Sequence, residues 1–239
     1  MSEFEGKVIV FDGDSICHAG RAGVNGDNAG WAARVGNALK MEWYNYAVGG
    51  GTVTGDMYQE STGKARHWIC RYIDDIHQLH DKVDYLILEG GTNDSDLLGI
   101  GSDKFGTFDP ADYSGNYDDT TFTGALETLF YKAINYYPNA KIGYIVAQKM
   151  GTPKCGFGPE FHRRYYFLRA IDICKKWGVP YLDLWERSTL NPKLKCYYDP
   201  DLSIEENEAA GKAYKDGQHL TDAGYDLISP AICAFVRSL

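Results

Sequence analysis

"IVFDGDSICHAG", residues 9–20, is an apolar run that breaks abruptly into small and polar residues. A short strand followed at once by Gly13 and two aspartates has the form of a buried strand ending at the rim of an α/β sheet. The same stretch offers two chemistries. Asp12 and Asp14 have the spacing of a phosphatase aspartate pair, whereas Gly13-Asp14-Ser15 presents a serine just beyond a strand end. The residues downstream have to complete one or the other.

Short apolar runs alternate with longer helical patterns along all 239 residues. Strands are expected at 7–11, 42–47, 83–88, 141–147 and 181–184. Helices are expected at 31–40, 63–80, 122–136, 160–177 and from 222 to about 235. Strands alternating with helices imply an α/β fold, with a parallel sheet covered on both faces. No internal repeat and no linker rich in Pro or Ser interrupts the chain, so one domain over 1–239 is expected. Two stretches without periodicity, 95–121 and 188–216, follow strand ends, where open α/β sheets bind ligands. Their tyrosines (Tyr113, Tyr117, Tyr197 and Tyr198) are expected on a polar, aromatic rim.

A formal net charge of −9 and a pI near 5.1 argue against a nucleic-acid-binding surface. No apolar run is long enough to cross a membrane. The acidic start leads straight into a strand and does not read as a signal peptide. A cytoplasmic protein, or a secreted one whose leader has been removed, fits this reading. Six cysteines (Cys17, Cys70, Cys155, Cys174, Cys196 and Cys233) show no CxxC pair, so no metal site is expected. Cys70, Cys174 and Cys233 lie in apolar helical stretches and read as small buried hydrophobes.

"VFDGDSI" resembles the haloacid-dehalogenase-type phosphatases. That resemblance implies Asp12 as nucleophile, Asp14 as acid/base and a bound Mg²⁺. Thr92 and Lys149 are available for two further roles, but the acidic pair closing a later strand is missing. Asp216 and Asp222 follow no buried strand, and Asp74-Asp75 lies inside a helix.

The serine reading needs a base, a group to orient it, and donors for an oxyanion. Each is available at a strand end or just before the last helix. "NYAVGGG" (45–51) offers backbone N–H groups with no side chain in the way, and "GGTND" (90–94) supplies the Asn93 amide. "DGQH" (216–219) places Asp216 three residues before His219, close enough to fix the imidazole tautomer. His18 is a rival base but lacks an acidic partner at fixed spacing. His67, His77 and His80 fall on a polar helical stretch and are expected to be solvated. Each residue also has a plainer use. Ser15 and Asn93 could cap helices, and Asp14 and Asp216-Gly217 could simply make turns.

These four segments, in this order, resemble the blocks of the SGNH hydrolases, the GDSL-type lipase/esterase family, over nearly the whole chain. The resemblance implies a flavodoxin-like three-layer α/β/α sandwich around a parallel sheet of about five strands. It implies Ser15 as nucleophile, His219 as base and then acid, and Asp216 as the group orienting His219. The oxyanion hole would use the backbone N–H groups of Ser15 and Gly50 with the Asn93 side chain, Gly49 or Gly51 being reached by a one-residue slip. No cofactor is required. Ala47 stands where the family pattern often has glycine, and Gln148-Lys149 where many members carry a proline-containing stretch.

The reaction expected is hydrolysis of a carboxylic ester of a small molecule or carbohydrate, through an acyl-enzyme. Polar rim loops and the lack of a long apolar lid favour a short acyl group such as acetyl. Three alternatives remain: a lipase or thioesterase of the same family, an inactive SGNH-like carbohydrate-binding module, and the Asp12 phosphatase. The substrate pocket and oligomeric state are not legible.

Overall fold

The computed structural model describes residues 3–18, 30–99, 101–151 and 162–239. Five strands, β1 (Val8–Asp12), β2 (Glu42–Asn45), β3 (Tyr85–Glu89), β4 (Lys141–Val146) and β5 (Tyr181–Asp183), form one sheet in the order β2-β1-β3-β4-β5. Every neighbouring pair is parallel. This is the flavodoxin-like order, in which the chain moves outward from β1 to β2 and then in the opposite direction from β3 onward. The C-terminal ends of β1 and β3 therefore lie side by side at the switch point, with Asp12 opposite Leu88.

Side chains alternate between two cores, as a sheet covered on both faces requires. Val10, Leu86, Leu88, Tyr144 and Val146 face one core, packed against α3 (Ile69–Leu79), α5 (Phe122–Tyr136) and α6 (His162–Trp177). Ile9, Phe11, Ile87, Ile145 and Leu182 face the other, packed against α2 (Trp31–Leu39) and α9 (Asp222–Ser238). The expected three layers are present. Cys70, Cys174 and Cys233 are buried in these cores, and Cys155 lies outside the described residues.

Short elements sit mostly in the connections: α1 (Ser15–His18) directly after β1, α4 (Thr92–Leu98) after β3, and α7 (Leu184–Arg187) after β5. A 3-10 turn, Asp103–Phe105, lies within the stretch expected to be irregular. Helix α8 (Ile204–Ala209) interrupts the second such stretch, and a reciprocal capping box between Ser203 and Glu206 starts it.

Three expectations need correction. The helix expected from residue 63 starts only at Ile69, because the preceding residues pair as extended chain, Tyr58 with Ala65 and Thr52 with Trp68. Hence His67 lies outside α3, and none of the three histidines is simply solvated. His67 Nε2 lies 2.8 Å from Asp12 Oδ1, His77 stacks on Tyr136, and His80 is hydrogen-bonded to the Tyr46 hydroxyl. Finally, Tyr113 and Tyr117 do not rim the strand ends. They pack with Trp177 and Lys176 at the C-terminal end of α6, which runs back towards the start of β5.

Candidate active site

Ser15 is the first residue of α1, immediately beyond β1. The Asp14 carboxylate starts this turn by accepting the Ile16 N–H at 2.8 Å. Ser15 Oγ lies 2.9 Å from His219 Nε2, and His219 Nδ1 lies 2.7 Å from Asp216 Oδ2. The other Asp216 oxygen accepts the backbone N–H groups of Gln218 and His219, at 2.9 and 2.7 Å. One carboxylate therefore shapes the turn with one oxygen and meets the imidazole with the other. With the proton on Nδ1, the histidine presents a lone pair to the serine hydroxyl. Burial alone would raise the Asp216 pKa. The His219 hydrogen bond and charge outweigh it, with help from the two N–H groups, and hold the carboxyl down at about 2.

The 216–219 turn is fixed from the β4 side. Gly151 N–H donates to the Gly217 carbonyl at 2.8 Å, and Gln148 Nε2 to the Gln218 carbonyl at 3.1 Å. Arg163 Nη2 donates to Gln218 Oε1 at 3.0 Å, while the same guanidinium grips Asp96 on α4. Tyr198 packs on Gly217, so this tyrosine of the expected rim does reach the site. Tyr197 bonds instead to Thr189.

The glycine segment closes a tight turn in which Gly51 N–H donates to the Val48 carbonyl at 2.9 Å. Gly50, third in this turn, has φ +81°, the left-handed value that a type II turn needs at that position and that glycine adopts without strain. Its carbonyl is held by Arg66 Nη1 at 2.9 Å. A Cβ added to Gly49 would stand 3.9 Å from Ser15 Cβ, so the turn lies against the serine. Among the described residues, the N–H groups of Ser15, Gly49 and Gly50 have no acceptor, whereas that of Gly51 is spent on the turn. Asn93 Nδ2 donates one hydrogen to the Gly51 carbonyl at 2.8 Å, and the amide keeps a second. The next residue, Asp94, is fully buried and accepts from Val53 N–H, Thr54 N–H and Thr54 Oγ1. Asn93 and the glycine segment are thereby tied together.

All the residues expected from the four motifs thus converge, although the segments that carry them are far apart in sequence. His18 does not take the place of His219 against Ser15. Three residues of the phosphatase reading are otherwise placed: Asp12 is fully buried against His67, Asp14 is buried beneath the serine turn, and Lys149 Nζ bonds the Trp185 carbonyl; Thr92 is fully buried. Among the described residues, no three His, Cys, Asp or Glu side chains are grouped to hold a metal ion, and no helix is long and apolar enough to cross a membrane. Sequence reading missed Arg163 and Glu89 and misplaced His67, whose importance comes from contacts between distant segments. Glu89 alone left a trace, as an acid ending the apolar run "YLILE".

Fold and site together place the molecule among α/β proteins with a Ser–His–Asp hydrogen-bonded chain at the sheet's C-terminal edge. More narrowly, the chain belongs to the GDSL-like lipase/acylhydrolase family, a family of ester-hydrolysing enzymes, whose model matches residues 11–227. Solved structures with the same fold include a protein from Lactobacillus plantarum, 18% identical, with 98% of each chain covered and a TM-score of 0.69. A carbohydrate acetylesterase family member from Sinorhizobium meliloti is 14% identical, with 97% of this chain and 98% of that one covered and a TM-score of 0.59. The aryl esterase of M. smegmatis is 16% identical, with 98% of this chain and all of that one covered and the same TM-score. No curated protein sequence matches significantly.

Proposed function

We propose that residues 1–239 act as one catalytic domain, a serine esterase working through an acyl-enzyme. The observation that carries this reading is the unbroken chain Ser15 Oγ–His219–Asp216, beside backbone N–H groups that have no acceptor among the described residues. Ser15 Oγ attacks the ester carbonyl as its proton passes to His219 Nε2. The carbonyl oxygen becomes an oxyanion, met by the N–H groups of Ser15 and Gly50 and by Asn93 Nδ2. Gly50 is favoured over Gly51, whose N–H is already spent, and Gly49 remains its neighbour in the same turn. As the intermediate collapses, the C–O bond to the alcohol breaks and His219 returns its proton to the leaving oxygen. Water, activated by the same imidazole, then attacks the acyl-enzyme and releases the acid and free Ser15.

The acyl group is proposed to be short, acetyl being the type. On the segments that carry the site, the large apolar side chains exposed among the described residues are Val48 in the glycine turn and Leu97, one helical turn beyond Asn93, two isolated residues rather than a long apolar wall. Fold kinship with a carbohydrate acetylesterase family member makes acetylated sugars a reasonable alcohol side to test.

A panel of p-nitrophenyl esters of graded chain length, run beside acetylated sugars, tests reaction and acyl preference together. Rates should fall with chain length, a fluorophosphonate probe should label the wild type, and Ser15→Ala should abolish both. Wild type that is unlabelled and behaves like Ser15→Ala on every ester would sink the reading in favour of a binding module. Phosphate release that needs Mg²⁺ and Asp12, yet survives Ser15→Ala, would instead restore the phosphatase.

A further inference from the structure

Directly beneath the serine turn lies a second acid that the esterase mechanism does not use. Glu89 ends β3 and is 1% exposed; Asp14, the residue before Ser15, is fully buried. Glu89 Oε2 accepts the Asp14 N–H at 3.1 Å. The two buried carboxyl groups are neighbours, each with one oxygen engaged by a backbone N–H of the serine turn and the other oxygen unpaired among the described residues. Asp14 Oδ1 accepts Ile16 N–H, so the pair clamps the chain on both sides of Ser15. The fit is close: a Cβ on Gly13 would stand 2.8 Å from Glu89 Oε2. Asp14 Oδ2 and Glu89 Oε1 are buried with no conventional donor among the described residues.

Two carboxylates in such a place need a proton between them. Among the described residues, the titratable groups that act on the pair are Cys17 from α1, Asp94 from α4, Tyr144 from β4 and His219 from the 216–219 turn, while Asp12 from β1 acts on Cys17 and is held by His67. Of the groups that act on the pair only His219 can carry a positive charge, and it is already engaged with Asp216. Burial first, and then the charge of Asp14, push the Glu89 carboxyl well above its ordinary range. Like charges forced together in a buried site cannot both ionise. The proton therefore turns a repulsion into a hydrogen bond that holds the turn.

We propose that Glu89 is the positioning residue of the nucleophile turn, remaining protonated in the working enzyme and sharing that proton with Asp14, so that the peptide carrying the Ser15 N–H is held for the oxyanion. The inference rests on the esterase reading. Loss of the proton at alkaline pH should loosen the turn and lower kcat before KM, since the Ser15 N–H matters most when charge develops on the substrate.

The test compares wild type, Glu89→Gln and Glu89→Ala with p-nitrophenyl acetate from neutral to strongly alkaline pH. Glutamine can accept the Asp14 N–H with its oxygen and donate to the Asp14 carboxylate with its nitrogen, with no proton to lose. Glu89→Gln should keep kcat within about threefold of wild type at neutral pH and lose the alkaline decline. Glu89→Ala should lose kcat by about ten- to a hundredfold, with KM little changed. Wild-type kcat in Glu89→Ala, equal damage in both variants, or one shared alkaline limb would overturn the proposal. Should Glu89→Ala not fold, the glutamine variant still decides through its pH profile and through infrared difference spectroscopy. Wild type minus Glu89→Gln should show the carbonyl stretch of a protonated carboxyl at neutral pH, and its absence refutes the shared proton. That spectrum needs no turnover, so wild type inactive on every ester would count against the esterase reading and leave the proton to be judged separately.

Discussion

In the proposed mechanism, Asn93 and Asp216 each divide their side chain between holding structure and serving the reaction. Asn93 gives one amide hydrogen to the Gly51 carbonyl, which leaves the other for the substrate oxygen. Asn93→Ala is expected to lower kcat by about 10²–10³-fold, or about 3–4 kcal/mol, with a smaller change in KM, as steady-state kinetics on the best ester would show. Asp216 should matter to folding as well as to rate. Its folded pKa of about 2 lies below the ordinary 3.8, so it stabilises the fold above 3.8 and loses that contribution as pH falls towards 2. Thermal unfolding of wild type and Asp216→Asn should therefore converge as the solution is acidified through that window. A Tm difference that does not change with pH would contradict the assignment. In activity, Asp216→Asn should fall by up to about 10⁴-fold, because an amide no longer fixes the useful imidazole tautomer.

Helix α4 and the 216–219 turn are separate in sequence and are joined by one buried guanidinium. Arg163, 1% exposed at the start of α6, holds Asp96 with two nitrogens and Gln218 with one of them. The helix that presents Asn93 is thus locked to the turn that presents His219. Removing one partner of a buried pair leaves an uncompensated charge and costs about 3–5 kcal/mol. Arg163→Met should therefore lower Tm clearly and reduce kcat, whereas Arg163→Met combined with Asp96→Leu should recover part of the stability but not the rate. Differential scanning calorimetry beside kinetics would separate the two effects. A kcat unchanged in both variants would mean that the bridge only stabilises. Helix α4 itself was not expected: residues 95–121 read as a single irregular stretch because a seven-residue helix is too short to show an apolar period.

Protonation of the buried carboxyl set acts on the stability of the fold as a unit, and with the opposite sign to Asp216. Glu89 is pushed above its ordinary 4.5, chiefly by burial, so its folded form favours the neutral acid. Its contribution to stability is complete below 4.5 and is lost as pH rises through the raised folded value. Wild-type Tm should accordingly decline on the alkaline side more steeply than that of Glu89→Gln. Parallel Tm–pH curves would show that Glu89 does not carry the effect.

The layers and the four motif segments were legible because local signals carry them, whereas the flavodoxin-like strand order was implied only by the family resemblance. Strands buried on both faces read as apolar runs, and a parallel sheet built from βαβ units places every strand's C-terminal end on one edge. Residues just beyond those runs, Ser15, Gly50 and Asn93, must then meet wherever the strand order brings their edges together. The pairing of Asp12 with His67, the grip of Arg163 on Gln218 and the burial of Glu89 under Asp14 carry no comparable signal. Each joins residues at least 55 positions apart, and hydrogen bonding between side chains imposes no periodicity on the chain. Chain pattern settled which residues come to the C-terminal edge of the sheet. Packing settled which groups hold them there, because the depth of burial that decides whether an acid keeps its proton exists only once the sheet and its helices have closed around it.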